Sequence, residues 1–211
     1  MSLSKRQIAE IEATIIKSIR KKLRSYKPET KSMPFHYRLL GKDRMALFSF
    51  IHSLNTTFGT SIFEPVAITL AKFNFPKAER GYKLGGFISE EAQKVIQTII
   101  NELTVGVRNP NKLQEIELIR KVATKGKMNR IKTVRVDVYL EDANGEIHLF
   151  DIKTAKPNIS NFRDFKRTLL EWVAIVLAEN PNAKVHSYIA IPYNPYEPKP
   201  YERWTLKGCW I

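Results

Sequence analysis

The sequence predicts an α/β fold: a mixed sheet flanked by helices, preceded by a helical N-terminal part. Three observations carry this. Residues 134–153 alternate polar and apolar on either side of Asn144-Gly145, the pattern of a β-hairpin. A helical pattern from Ser160 to about Glu179 leads into a strand pattern from Asn182 to Ile191, and the order helix, hairpin, helix, strand suits a sheet covered by helices. Near the N-terminus, Ile8, Ile11, Ile15, Ile16, Ile19 and Leu23 recur at helical spacing among Lys and Arg. The chain has 211 residues, 43% of them hydrophobic, enough to bury a core. A single domain over 1–211 is expected, with a helical part to residue 60 and the core over 61–211.

Taken in order, the first helix covers about 4–24, and 25–42, with Pro28 and Pro34, reads as a connecting loop. A second helix runs from about Lys42 to Asn55 and is rich in Met45, Leu47, Phe48, Phe50 and Ile51. Thr56–Ser61 breaks it. A third helix begins near Ser61 and carries Glu64, Val66, Ala67, Leu70 and Ala71. The segment 73–88, with Pro76, Gly81 and Gly85-Gly86, reads as irregular. Ser89 is an N-cap with Glu90 and Glu91 in the first turn of a helix to about Leu103. Pro110 opens another helix through about Ala123. After the hairpin, the helix and the strand, Tyr193–Pro200 is an extended loop, and Tyr201–Leu206 is a candidate last strand.

Charges inside the hairpin are its chemical signal. Asp137, Asp151 and Lys153 interrupt otherwise apolar strands, and burying an unpaired carboxylate is costly. The register decides whether they meet. A two-residue loop at Asn144-Gly145 puts the acids on opposite faces. A three-residue loop, Ala143-Asn144-Gly145 with Gly145 left-handed, pairs Asp142 with Glu146 and sets Asp137 opposite Asp151, with Lys153 on their face. It also pairs Val138 with Phe150 and Val136 with Ile152 on an apolar face, and that coherence selects it. Two adjacent carboxylates suit a hard divalent cation such as Mg2+, and the ammonium suits a water or a phosphate.

The 35 Lys and Arg against 21 Asp and Glu leave a net charge of +14, which points to a polyanionic partner, nucleic acid before membrane. Lys125, Lys127, Arg130, Lys132 and Arg135 lead directly into the first acidic strand and read as phosphate contacts, although such a run also makes a solvated face. Lys156 and Asn158 follow the second strand. Tyr193, Asn194 and Arg203, with Tyr196 and Tyr201, offer stacking and base-edge hydrogen bonds, or simply loop packing. Glu64 borders an apolar helix face. It reads either as a further metal-binding carboxylate or as a first-turn acid complementing the helix dipole. Glu115 and Glu117 are expected to face solvent.

Other chemistries find little support. His36, His52, His148 and His186 lack metal-ligand spacing, and no Gly-rich phosphate loop occurs. The single Cys209 excludes an internal disulfide framework and lacks an evident activating base. Without an apolar leader or a stretch long enough to span a bilayer, the chain is expected to be cytoplasmic.

Val136-Asp137 and Asp151-Ile-Lys153 across a hairpin resemble the PD-(D/E)xK nuclease signature, with the Pro-Asp half degenerate. Longer segments resemble the TdeIII family of type II restriction endonucleases: Pro34–Leu40, Phe50–Glu64, Asp151–Asn158 and Tyr188–Tyr196. The resemblance runs from about residue 30 to the end. It implies a restriction-endonuclease-like fold and Mg2+-dependent, sequence-specific cleavage of double-stranded DNA by a homodimer. By motif match, Asp137, Asp151 and Lys153 become catalytic and Glu64 the supporting acid, with Asp137, Asp151, Glu64 and the carbonyl of Ile152 as metal ligands. The same core implies one more strand before Asp137, for which Thr104–Val107 is the candidate. More C-terminal structure than this chain carries is expected. A structure-specific repair or junction nuclease and a non-catalytic DNA-binding module are the alternatives.

Overall fold

The computed structural model describes residues 3–28, 33–132, 135–153 and 157–201. The chain divides into two compact units, Met1–Phe73 and Asn74–Ile211.

In the N-terminal unit, α1 (Lys5–Ser25) starts at a capping box in which Ser4 Oγ accepts from Gln7 N–H while Gln7 Oε1 accepts from Ser4 N–H. The expected loop 25–42 is shorter than the sequence suggests. α2 (Pro34–Thr57) begins at Pro34, whose missing N–H costs nothing in a first turn. The expected start near Lys42 marks a kink instead, where Gly41 leaves helical geometry at φ 76° and ψ 170°. Nor is Thr56–Ser61 a break: a π-helical turn, Phe58–Phe63, leads into α3 (Glu64–Ala71). α1 packs on α3 and on the π-helical turn.

The C-terminal unit is built on a four-stranded sheet in the order β1-β4-β5-β6, where β1 is Lys77–Lys83, β4 Arg135–Glu141, β5 Ile147–Ile152 and β6 Val185–Ala190. β4 runs antiparallel to both of its neighbours, β1 and β5, while β6 runs parallel to β5. A parallel pair needs a crossover, and α6 (Ile159–Glu179) supplies it. β2 (Phe87–Ser89) and β3 (Met128–Arg130) form a separate ribbon. Between them lie α4 (Glu90–Thr104), capped as expected by Ser89 Oγ on Ala92 N–H, and α5 (Lys112–Arg120), capped by Asn111. α4, α5 and α6 bury Ile96, Ile99, Ile100, Ile116, Ile119 and the Leu169–Leu177 run against Leu149 and Val185 of the sheet. Each such aliphatic side chain contributes about 1.5–3 kcal/mol.

The pattern revealed neither the short β2–β3 ribbon nor the sheet strand β1, which lies within the segment expected to be irregular. Thr104–Val107 is the end of α4 and the turn after it. β1 hides because it is an edge strand of charged residues, Lys77, Glu79, Arg80 and Lys83, interrupted by Gly81 at φ 61°. Charges on an edge discourage pairing with foreign strands, and they also erase the apolar alternation that announces a strand.

Candidate active site

The hairpin β4–β5 has the register expected of a three-residue loop. Asp142 N–H donates to the Glu146 carbonyl at 3.0 Å, Gly145 N–H to the Asp142 carbonyl at 3.1 Å, and Gly145 sits at φ 76°. Pairing then runs from Glu141 with Ile147 to Val138 with Phe150. The next step in this register sets Asp137 against Asp151. There the ladder gives way to side-chain chemistry: Ile152 N–H donates to Asp137 Oδ2 at 2.9 Å. Alternation slips at the same level. Val136 is buried in the helix-side core together with Tyr139, three positions on, instead of lying on the opposite face with Val138.

Asp151 is 6% exposed. Lys153 Nζ donates to its Oδ1 at 2.6 Å, and the same ammonium lies 4.7 Å from the centre of the Phe165 ring on α6. The Lys153 backbone N–H is held by the Ala190 carbonyl of β6 at 3.0 Å. Burial pushes the Asp151 carboxyl up to about 6; the neighbouring Lys153 opposes the shift, and the Asp137 carboxylate adds to it. The sheet thus brings Asp137, Asp151, Ile152 and Lys153 together at the end of β4–β5. Two carboxylates that face one another, one of them nearly buried, suit a hard cation. Their mutual repulsion is what such an ion would relieve.

Glu64 is buried at 3% in the first turn of α3, within the N-terminal unit. Lys125, Lys127, Arg130, Lys132 and Arg135 are all exposed, Arg130 on β3 and Arg135 at the start of β4. Asn158 is the exposed N-cap residue of α6. Tyr193 is exposed, whereas Asn194 closes its own loop, with Nδ2 on the Lys199 carbonyl at 2.6 Å and Oδ1 accepting from Tyr196 N–H at 3.0 Å. Lys156 and Arg203 lie outside the described residues, as does the candidate strand after Tyr201.

Glu115 departs from expectation. It is fully buried and ion-paired with Lys166 of α6, itself 3% exposed, while Glu117 stays at the surface against Arg120. Glu115 shares the face of Ile116 and Ile119, a spacing that could have flagged it, but its neutralising partner lies in a distant helix. Burial, then the charge of Lys166, lowers the Lys112 ammonium to about 8, and that group sits 4.5 Å from the Tyr188 ring centre. Phe165, the residue beneath Lys153, gave no signal in the sequence.

A second group with metal-ligand chemistry occurs at the turn end of the same hairpin, where atoms of Asp142, Glu146 and His148 lie within 4.8 Å of one another. Its acids already have partners. Asp142 Oδ1 accepts from Asn144 and Glu146 N–H, each at 2.8 Å, and Glu146 binds Lys184 at 2.9 Å. Among the described residues no helix is long and apolar enough to cross a membrane.

Type II restriction enzyme MjaII of Methanocaldococcus jannaschii is 30% identical over 216 residues, covering 93% of this chain and 56% of that enzyme. HgiCII and HgiEI of Herpetosiphon aurantiacus are each 27% identical over 165 residues, covering 77% of this chain and 59% of each enzyme. The chain thus spans somewhat over half the length of these relatives. No solved structure matches it. The profile described as "Type II restriction endonuclease, HinfI" matches residues 3–211, and the chain belongs to that family.

Proposed function

We propose that this chain carries the catalytic centre of a type II restriction endonuclease, which hydrolyses phosphodiester bonds at a specific sequence in double-stranded DNA. The observation that carries the reading is the meeting of Asp137, Asp151 and Lys153 at one end of a hairpin. Asp137 and Asp151 would hold Mg2+, with the Ile152 carbonyl as a further ligand. The ion held there would supply charge neutralisation for the scissile phosphate and a more acidic water. Lys153, buttressed by Phe165, donates to a phosphate oxygen or takes part in the water's proton transfer. Asp137 keeps its position through Ile152 N–H.

The exposed run Lys125, Lys127, Arg130, Lys132 and Arg135 would neutralise phosphates, with Lys156 and Asn158 nearer the cut, and Tyr193, Asn194 and Arg203 toward base edges. A palindromic site cut on both strands calls for a two-fold protein, so a homodimer is part of the proposal. So are one nuclease domain over 1–211, a cytoplasmic location beside the DNA, and, within the family, a relation to the TdeIII enzymes.

Plasmid digestion tests this. Discrete fragments with Mg2+ and none with EDTA support restriction. Smearing or selective cutting of branched DNA would replace it with a repair or junction nuclease, and binding without cutting with a DNA-binding module.

A further inference from the structure

α1 has two unlike sides. The half-buried positions Gln7, Ile11, Thr14, Ile15, Ser18 and Lys22 face the rest of the unit. Thr14 meets Thr69 of α3 at 3.3 Å, and Lys22 donates to Ser53 of α2 at 2.5 Å. With about 3.6 residues per turn, Lys17, Arg20, Lys21 and Arg24 form a stripe along one flank of that face, with Lys21 nearly in line with Thr14 and Arg20 farthest round. All four are exposed, and none forms a salt bridge among the described residues. They line one cleft of about 820 Å3 together with Ile16. From Ala13 onward this stripe carries no acid.

The charge is concentrated as well as aligned. Residues 5–27 hold eight Lys and Arg against two Glu, a net six of the chain's fourteen positive charges. The two acids lie on the N-terminal half of α1. Lys17 and Arg24 are about 10 Å apart along the axis at about 1.5 Å per residue. One strand of a duplex presents a phosphate about every 3.4 Å of its axis, so the stripe spans roughly three phosphates. We infer that Lys17, Arg20, Lys21 and Arg24 of α1 form a second, sequence-independent contact with the DNA phosphate backbone, separate from the basic run before β4. The inference rests on the DNA-cleaving reading above.

An anionic membrane is the rival partner, because Ile16, Ile19 and Leu23 are exposed beside the stripe. A helix that lies in a bilayer surface buries a broad apolar face, often anchored by aromatic residues. α1 contains no aromatic residue, and its half-buried face is occupied by α3. A phosphate chain needs only the charges, and these are what the stripe displays.

The test is the full chain with Lys17, Arg20, Lys21 and Arg24 all changed to Gln, titrated in EDTA against a labelled duplex at several salt concentrations. The slope of log affinity on log salt should fall by about 0.9 for each phosphate no longer neutralised, hence by roughly 2 or more, equally for cognate and unrelated duplexes. The doubly substituted Lys17→Arg, Lys21→Arg protein should keep the wild-type slope, and far-UV circular dichroism should show unchanged helix in both. A wild-type slope and affinity in the Gln variant overturns the inference alone. Weakened binding to phosphatidylserine vesicles with DNA binding intact overturns it in favour of a membrane. A wild-type chain that binds no duplex even at low salt overturns both this inference and the restriction reading.

Discussion

The two ends of the β4–β5 hairpin place acids on the same pair of strands and treat them oppositely. At the turn, Asp142 accepts two backbone N–H groups, and these hold its carboxyl below the usual range. Glu146 is pulled the same way, first by its hydrogen bond with Lys184. At the open end, Asp151 is buried against a second acid, and burial drives its carboxyl upward. An acid surrounded by donors is a finished structural part. An acid desolvated beside another acid stores repulsion that a cation can release, which is why the open end is the candidate for chemistry although both ends could in principle ligate metal.

The largest effect should come from removing the open-end charges. Asp137→Asn or Asp151→Asn should lower cleavage on the order of 10^3-fold or more, as expected when several kcal/mol of metal-derived transition-state stabilisation are removed. DNA binding should be kept or tightened, because a negative charge facing phosphate disappears. Asp142→Ala should leave cleavage intact and lower the urea midpoint, because two backbone N–H groups lose their acceptor. Cutting at near wild-type rate by either Asn variant, or loss of cutting in Asp142→Ala, would reverse the assignment of the two ends.

The pH dependence of stability should separate the ends next. Asp151 is raised in the folded state, from 3.8 to about 6. Its contribution is therefore complete below about pH 4 and lost as pH rises through about 6, by up to about 3 kcal/mol in EDTA. Asp142 is lowered, so its contribution is present above the unfolded value and lost as the solution becomes more acidic. Urea unfolding in EDTA should show Asp151→Asn gaining on the wild type between about pH 4.5 and 7. Mg2+ should raise Tm at about pH 7.5 more than at about pH 5. A difference between variant and wild type that does not move with pH would break the contrast.

Gly145→Val probes the turn that brings the acids together. A β-branched residue at φ 76° should cost about 1–2 kcal/mol, seen as a lower urea midpoint at unchanged m-value. No loss of stability would show that the left-handed residue is not what holds the register. The smallest effect belongs to Phe165→Leu, which removes the ring beneath Lys153. It should lower kcat several-fold while KM changes little, in line with a cation–π interaction of about 0.5–1 kcal/mol. An equal loss in Tm-matched surface variants would reduce Phe165 to a packing residue.

By itself, the sequence determined what depends on near neighbours. The period-two pattern of residues 134–153, the choice of a three-residue loop and the facing of Asp137 with Asp151 all follow from alternation and turn chemistry within twenty residues. The N-cap at Ser89 and the span of α6 are local in the same sense. Tertiary structure alone decided the rest. β1 became a strand because β4 offered it an edge, not because Lys77–Lys83 alternates. Glu115 could be buried because Lys166, 51 residues later, neutralises it. The ring of Phe165 under Lys153 depends on how α6 lies across the sheet. Patterning reports which side of an element avoids water; which group arrives to meet a buried charge is set by packing between segments distant in sequence.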